Sequence, residues 1–132
     1  MKIKIIIPYF GAFPPYFALF LRSCAINSEV EFHIFTDQSA LPPCPQNVVV
    51  HELPFSALRA LMQKKLGLRD KALRALTPYK LCDYRPAYGV IFEDYLQDTD
   101  FWGFCDVDLI FGRIFDLLSV EKIQKSERIL TQ

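Results

Sequence analysis

Short runs of β-branched and apolar residues alternate along this chain with segments whose apolar residues recur at helical spacing. That alternation is the pattern of a layered α/β domain. "IKIII", residues 3 to 7, lies between Lys2 and Pro8. A run this short and this rich in isoleucine reads as a strand buried on both faces. "YFGAFPP" follows as a loop, and Pro14 and Pro15 suit the first turn of a helix, where their missing N–H groups are not needed. Phe17, Phe20, Leu21, Cys24 and Ala25 share one helical stripe, so a helix is expected from Pro14 to Asn27. "VEFHIFTD" alternates, with Val30, Phe32 and Ile34 on one side and Glu31, His33 and Phe35 on the other, and reads as a second strand.

The three prolines of "QSALPPCPQ" mark a loop, and "NVVVHEL" reads as a third strand. Leu58, Leu61, Met62 and Leu66 form a second helical stripe that stops at Gly67. "DKALRALTPYKLCDYRPAYG" is polar, aromatic and broken by Pro78 and Pro86. "AYGVIFEDYL" begins a helix, "TDFWGFCDVDLIF" reads as a fourth strand, "IFDLLSVEKIQKSE" as a final helix, and "RILTQ" as the start of another strand. The expectation is a single α/β domain over residues 1–132 with a mainly parallel sheet. In such sheets ligands collect at the carboxyl ends of the strands. Three features fall there: "PYFG" after the first strand, "TD" after the second and "DVD" late in the fourth.

Charge narrows the partners. Fifteen Lys and Arg balance fifteen Asp and Glu, so no bulk basic field exists to draw in nucleic acid or an anionic membrane. A charged ligand must be held by local groups. The four cysteines contain no CxxC pair, which fits neither a zinc site nor a dense disulfide framework and favours a reducing compartment. Cys82 and Cys105 sit in apolar context and read as small buried hydrophobes. The apolar N-terminus is interrupted by Pro8, Gly11, Pro14 and Pro15, so it reads as strand, loop and helix rather than a leader. The expected location is cytoplasmic, peripheral to the inner membrane through partners.

The chemistry concentrates in "FWGFCDVDLIFG", residues 101 to 112. In a strand, side chains at i and i+2 share a face, so Asp106 and Asp108 point the same way. Two like charges on one face are reconciled by a divalent cation, and hard oxygens suit Mg²⁺ or Mn²⁺, which take carboxylates together with substrate phosphates. The plain alternative is a pair of solvated aspartates at a strand end. "YKLCDYRPAYG" sets Lys80, Asp83 and Arg85 among Tyr79, Tyr84 and Tyr88, and Lys80 and Arg85 are able to pair with phosphate oxygens. Its alternative is a solvated surface loop. Pro8, Tyr9, Phe10 and Gly11 let a nucleotide lie against backbone, or form a simple turn. Asp37 accepts hydrogen bonds from ribose or base, or caps the turn that follows. His33 and His51 read as structural, and Trp102 with its phenylalanine neighbours as core. The chain holds no GxSxG, P-loop or GxGxxG sequence.

Taken in order, "IKIIIPYFG", the helix from Pro14 to Asn27, "FHIFTD", "YKLCDYRPAYG" and "DFWGFCDVDLIFG" resemble a nucleotide-sugar glycosyltransferase of the GT-A fold, of the bacterial polysaccharide-synthesis type. The resemblance covers about residues 3 to 118. It implies a three-layer α/β/α Rossmann-like fold, a UDP- or GDP-sugar donor, Mn²⁺ or Mg²⁺, and transfer of the sugar to a hydroxyl of an acceptor glycan. By resemblance, Pro8 to Gly11 lie beside base and ribose and Asp37 contacts the nucleoside. Lys80 and Arg85 approach the diphosphate or sugar, with Asp83 counted in the same site. Asp106 contacts ribose or metal, and Asp108 holds the metal. Enzymes of this fold run to roughly 250 residues, the upper range of a single domain. The chain therefore reads as an incomplete donor-binding half, truncated at its C-terminus. Two further expectations follow: a nucleotide-sugar-binding domain without turnover is the alternative, and an exposed apolar sheet face should drive self-association into homo-oligomers. A phosphohydrolase built on paired aspartates fits less well, because such enzymes place the pair after their first strand.

Overall fold

The computed structural model describes residues 1–127; the expected strand at "RILTQ" lies outside the described residues. Among the described residues, four strands form one sheet: β1 (Ile3–Pro8), β2 (Val30–Thr36), β3 (Val48–Glu52) and β4 (Phe101–Phe104). Their order is β3-β2-β1-β4, and every pairing is parallel. The register sets Lys4 beside Glu31, Ile6 beside His33 and Phe104, and Phe35 beside His51. The chain is thus α/β with an all-parallel sheet, of the Rossmann-like class.

Each sheet face buries its own cluster, which explains why the strands are apolar on both sides. On one face Ile6 and Phe35 pack with Leu58, Met62, Leu81, Tyr88, Ile91 and Phe92. On the other, Ile7, Phe32 and Ile34 pack with Phe17, Phe20, Leu21 and Cys24. The first cover comes from α2 (Phe55–Leu66), a 3₁₀ segment (Tyr79–Ala87) and α4 (Tyr88–Ile91), while α3 (Asp70–Ala75) buries no residue. The second comes from α1 (Phe17–Ile26). Pro14 and Pro15 stand just outside α1 rather than in its first turn, and Phe17 donates its N–H to the Pro14 carbonyl at 3.0 Å. Ala25 is exposed, while Ser23 is buried and donates to the Phe20 carbonyl at 2.7 Å. Gly67 ends α2 at φ 63°, a left-handed conformation that favours glycine.

The fourth strand is shorter than its apolar sequence suggests. Hydrogen bonding stops at Phe104, and Asp106 to Asp108 pass through a bend. Val107, Leu109 and Phe111 turn instead onto the α1 side of the sheet, where Phe111 lies 5.5 Å from Phe32. The expected final helix is two short ones, α5 (Ile114–Leu117) and α6 (Val120–Gln124), divided before Ser119, whose side chain caps α6. Trp102 and Phe104 are not core: they are 40% and 43% exposed on an edge strand. No helix among the described residues is long and apolar enough to cross a membrane.

Two asparagines fasten α1 to its surroundings. Asn27, buried where α1 ends, donates through Nδ2 to the Ser23 and Gly112 carbonyls and accepts the Ile114 N–H at 2.8 Å. Asn47 places its Nδ2 within 3.0 Å of the carbonyls of Cys24, Asn27 and Val30. A polar chain lies under the other face. Lys4, buried in β1, donates to the Tyr95 carbonyl and to Asp98, both at 2.8 Å. His33 contacts Glu31 through Nε2 at 3.1 Å and His51 through Nδ1 at 3.0 Å. A carboxylate only accepts, so His33 Nε2 carries the proton toward Glu31 and Nδ1 accepts from His51. Both histidines are thus engaged within the fold.

Candidate functional site

The sheet order changes direction at β1: β2 and β3 are added on one side and β4 on the other. The carboxyl ends of β1 and β4 part at this switch point, and a crevice opens there. A pocket of about 270 Å³ occupies it, lined from β1 by Ile7, Pro8 and Tyr9 and from β4 by Phe104, Cys105, Asp106 and Val107. The 3₁₀ segment and α4 close it with Tyr79, Leu81, Cys82, Arg85 and Tyr88. Three stretches distant in sequence, each singled out for chemistry, thus meet in one place.

Arg85 and Asp106 form an ion pair across the pocket, Arg85 Nη2 donating to Asp106 Oδ1. The guanidinium also lies over the Phe104 ring, 5.1 Å from its centroid, a cation–π geometry. Tyr88 forms the floor; it is buried and donates its hydroxyl to the Leu81 carbonyl at 3.0 Å. Burial pushes the Tyr88 phenol up to about 12, so it stays protonated near neutrality. Burial likewise raises the Cys105 thiol. Cys82 is exposed rather than buried, because the 3₁₀ turn rotates it to the pocket rim.

Asp37 and Gly11 do not line this pocket; they lie in the loops that follow β2 and β1. Gly11 holds φ at 95°, a left-handed conformation that glycine adopts without strain. Its N–H donates to Asp37 Oδ1 at 2.9 Å, and the Gln38 amide donates to the same oxygen at 3.0 Å. These two donors hold the exposed carboxyl below the usual carboxylate range, the Gly11 N–H foremost. The ends of β1 and β2 are therefore tied together by an ionised acid.

The remaining candidates are placed differently. Phe10 turns into the core and meets Phe55 edge-on at 5.2 Å. Lys80 and Asp83 are exposed, pair with each other at 3.7 Å, and do not line the pocket. Asp108 is exposed and makes no hydrogen bond or ion pair among the described residues. Asp106 and Asp108 flank buried Val107, so both face away from the core although no strand holds them. Among the described residues, no group of three or more His, Cys, Asp or Glu is placed to hold a metal. Two carboxylate donors fit Mg²⁺ or Mn²⁺ when phosphate and water complete the shell, and they fit no all-protein cage.

The profile of a family of unknown function, DUF6625, matches residues 5–132, which leaves out only the first four positions. The chain belongs to DUF6625. No curated protein and no solved structure matches it. Some parts of this DUF6625 site escape sequence reasoning. Leu81, in the 3₁₀ segment, lines it and accepts the hydroxyl of Tyr88 from the start of α4, and Leu81 carries no sequence signal beyond being apolar. Asn27, which anchors the chain just beyond Asp108, bonds across 85 and 87 positions and has no local signal.

Proposed function

We propose that this domain binds a nucleotide-diphospho-sugar with a divalent cation, as the donor-binding domain of a GT-A-like glycosyltransferase of bacterial surface polysaccharide synthesis. The observation that carries the reading is the crevice at the sheet switch point, where Tyr9, Arg85 and Asp106 converge. Outside its lining, Asp37 and the Gly11 turn would receive the nucleoside, while within it Arg85 pairs with the diphosphate in bidentate fashion. Asp106 and Asp108 are the residues that would hold Mn²⁺ or Mg²⁺. When bound, such a cation supplies Lewis-acid stabilisation of the departing nucleoside diphosphate. The buried floor of Leu81 and Tyr88 limits water beneath the phosphates.

One observation favours a second reading, binding without turnover. The pocket's 270 Å³ falls just under the roughly 300–1,000 Å³ of small-molecule sites.

Titration calorimetry with UDP, GDP or CDP in the presence of Mn²⁺ tests the proposal. Metal-dependent binding is expected, weakened about tenfold or more by Asp108→Ala, since the loss of one of two protein ligands removes much of the cation's hold. Unchanged affinity in that variant refutes the metal role. Nucleotide binding without hydrolysis or transfer of the sugar selects the second reading.

A further inference from the structure

The pocket's charges are arranged as an exchange. Arg85, from the 3₁₀ segment, and Asp106, just after β4, neutralise each other. Asp108 does not line the pocket, and Lys80 is engaged by Asp83. A lone cation entering the site therefore meets the guanidinium, and a lone anion meets the Asp106 carboxylate that already holds Arg85. A phosphate anion and a divalent cation arriving together meet neither penalty: the anion takes Arg85, and the cation takes the carboxylates.

The contact is built to be exchangeable. The Arg85 and Asp106 side chains are 32% and 58% exposed, and ion pairs so hydrated are weak. The Phe104 ring supports the guanidinium from one side. Leaving Asp106 does not release Arg85 to solvent, and its planar fork stays over the pocket for two parallel hydrogen bonds to phosphate.

We infer that Arg85 is a latch shared between Asp106 and a phosphate group of the ligand, so that anion binding frees Asp106 for the cation and makes the two ligands bind cooperatively. The inference rests on the anion-and-cation reading of the pocket given above. Coupling of this kind is reciprocal: each ligand raises the affinity for the other by the same factor.

The test uses each ligand alone, where exchange predicts opposite effects from the two halves of the latch. Inorganic pyrophosphate is titrated in chelator-treated buffer into wild type, Asp106→Asn and Asp108→Asn. Asp106→Asn liberates Arg85 and should tighten pyrophosphate roughly threefold to fivefold, the range set by the strength of an exposed ion pair. Asp108→Asn removes the same charge without liberating Arg85 and should change affinity less than about twofold. Mn²⁺ alone, followed by electron paramagnetic resonance, should bind more tightly to Arg85→Gln than to wild type or to Lys80→Gln. Thermal melts confirm folding, with Asp106→Ala as the second variant if Asp106→Asn is unstable. Equal effects of Asp106→Asn and Asp108→Asn on pyrophosphate, or no gain in Mn²⁺ affinity in Arg85→Gln, overturn the latch. The expected pattern with pyrophosphate and Mn²⁺, combined with no binding of UDP or GDP, keeps the latch and removes the nucleotide reading.

Discussion

Replacing Asn27 with alanine separates a local role from a long-range one. The wild-type carboxamide is 2% exposed and makes three hydrogen bonds, one within its own helix and two to the segment that follows Asp108. Gly112 is exposed, so water replaces the lost donor to its carbonyl at little cost. The Ser23 carbonyl and the Ile114 N–H lie deeper. An unsatisfied buried group costs about 1–3 kcal/mol, and the N–H is the harder of the two to rescue. Asn27→Ala should therefore lower stability by about 2–3 kcal/mol, with a fall in melting temperature of roughly 10 °C for a domain of this size. Urea unfolding monitored by circular dichroism measures the first quantity, with an unchanged m-value as the sign of intact two-state behaviour. Hydrogen exchange at the Ile114 amide measures the second effect, loosening of the chain beyond Asp108. A loss under about 0.5 kcal/mol, with Ile114 exchange unaltered, would show that water serves as well as Asn27 and would refute its role as an anchor.

Stability should also fall in mild acid. Burial lowers the affinity of His33 and His51 for protons in the fold, so below about pH 6.5 the unfolded chain binds more protons and gains. Lys4 and Lys2 add repulsion to His33, its hydrogen bond to Glu31 opposes the shift without reversing it, and His33 and Lys4 add repulsion to His51. Urea midpoints should drop between pH 7.5 and pH 5, and the drop should shrink in His51→Phe; a flat profile counts against this account. Gly89→Ala should displace the indole of Trp102, because a Cβ there would sit 2.7 Å from its Cζ2 atom. The chain has one tryptophan, so its emission reports the move directly, and an unshifted spectrum argues that the backbone yields instead.

Much of the fold is legible in the residues. The alternation of β2 assigns its two faces correctly, since Phe32 and Phe35 enter different clusters. Gly67 ends α2 where the stripe stops. The over-long fourth strand has a definite cause. Apolar residues after Cys105 need burial, and pairing is only one way to obtain it; Val107, Leu109 and Phe111 obtain it by lying across the α1 side of the sheet. Trp102 reads as core together with its phenylalanine neighbours, whereas its place on an edge strand leaves it 40% exposed. In the candidate site, Arg85 and Asp106 were each chosen for charge, but their pairing depends on β4 joining β1, which no local pattern encodes.

That junction also bears on how the chain reaches its final form. β1 and β2 meet across 27 positions, Ile3 beside Val30, whereas β1 and β4 meet across 98, Ile3 beside Phe101. Closing the longer loop costs more entropy before any contact rewards it. Sheet assembly should therefore begin with β1, β2 and β3 and end with β4, so that quenched-flow exchange finds the β4 amides protected last. The crevice between β1 and β4 would then be the youngest surface of the folding molecule, and a ligand bound there would hold fast the strand that arrives last.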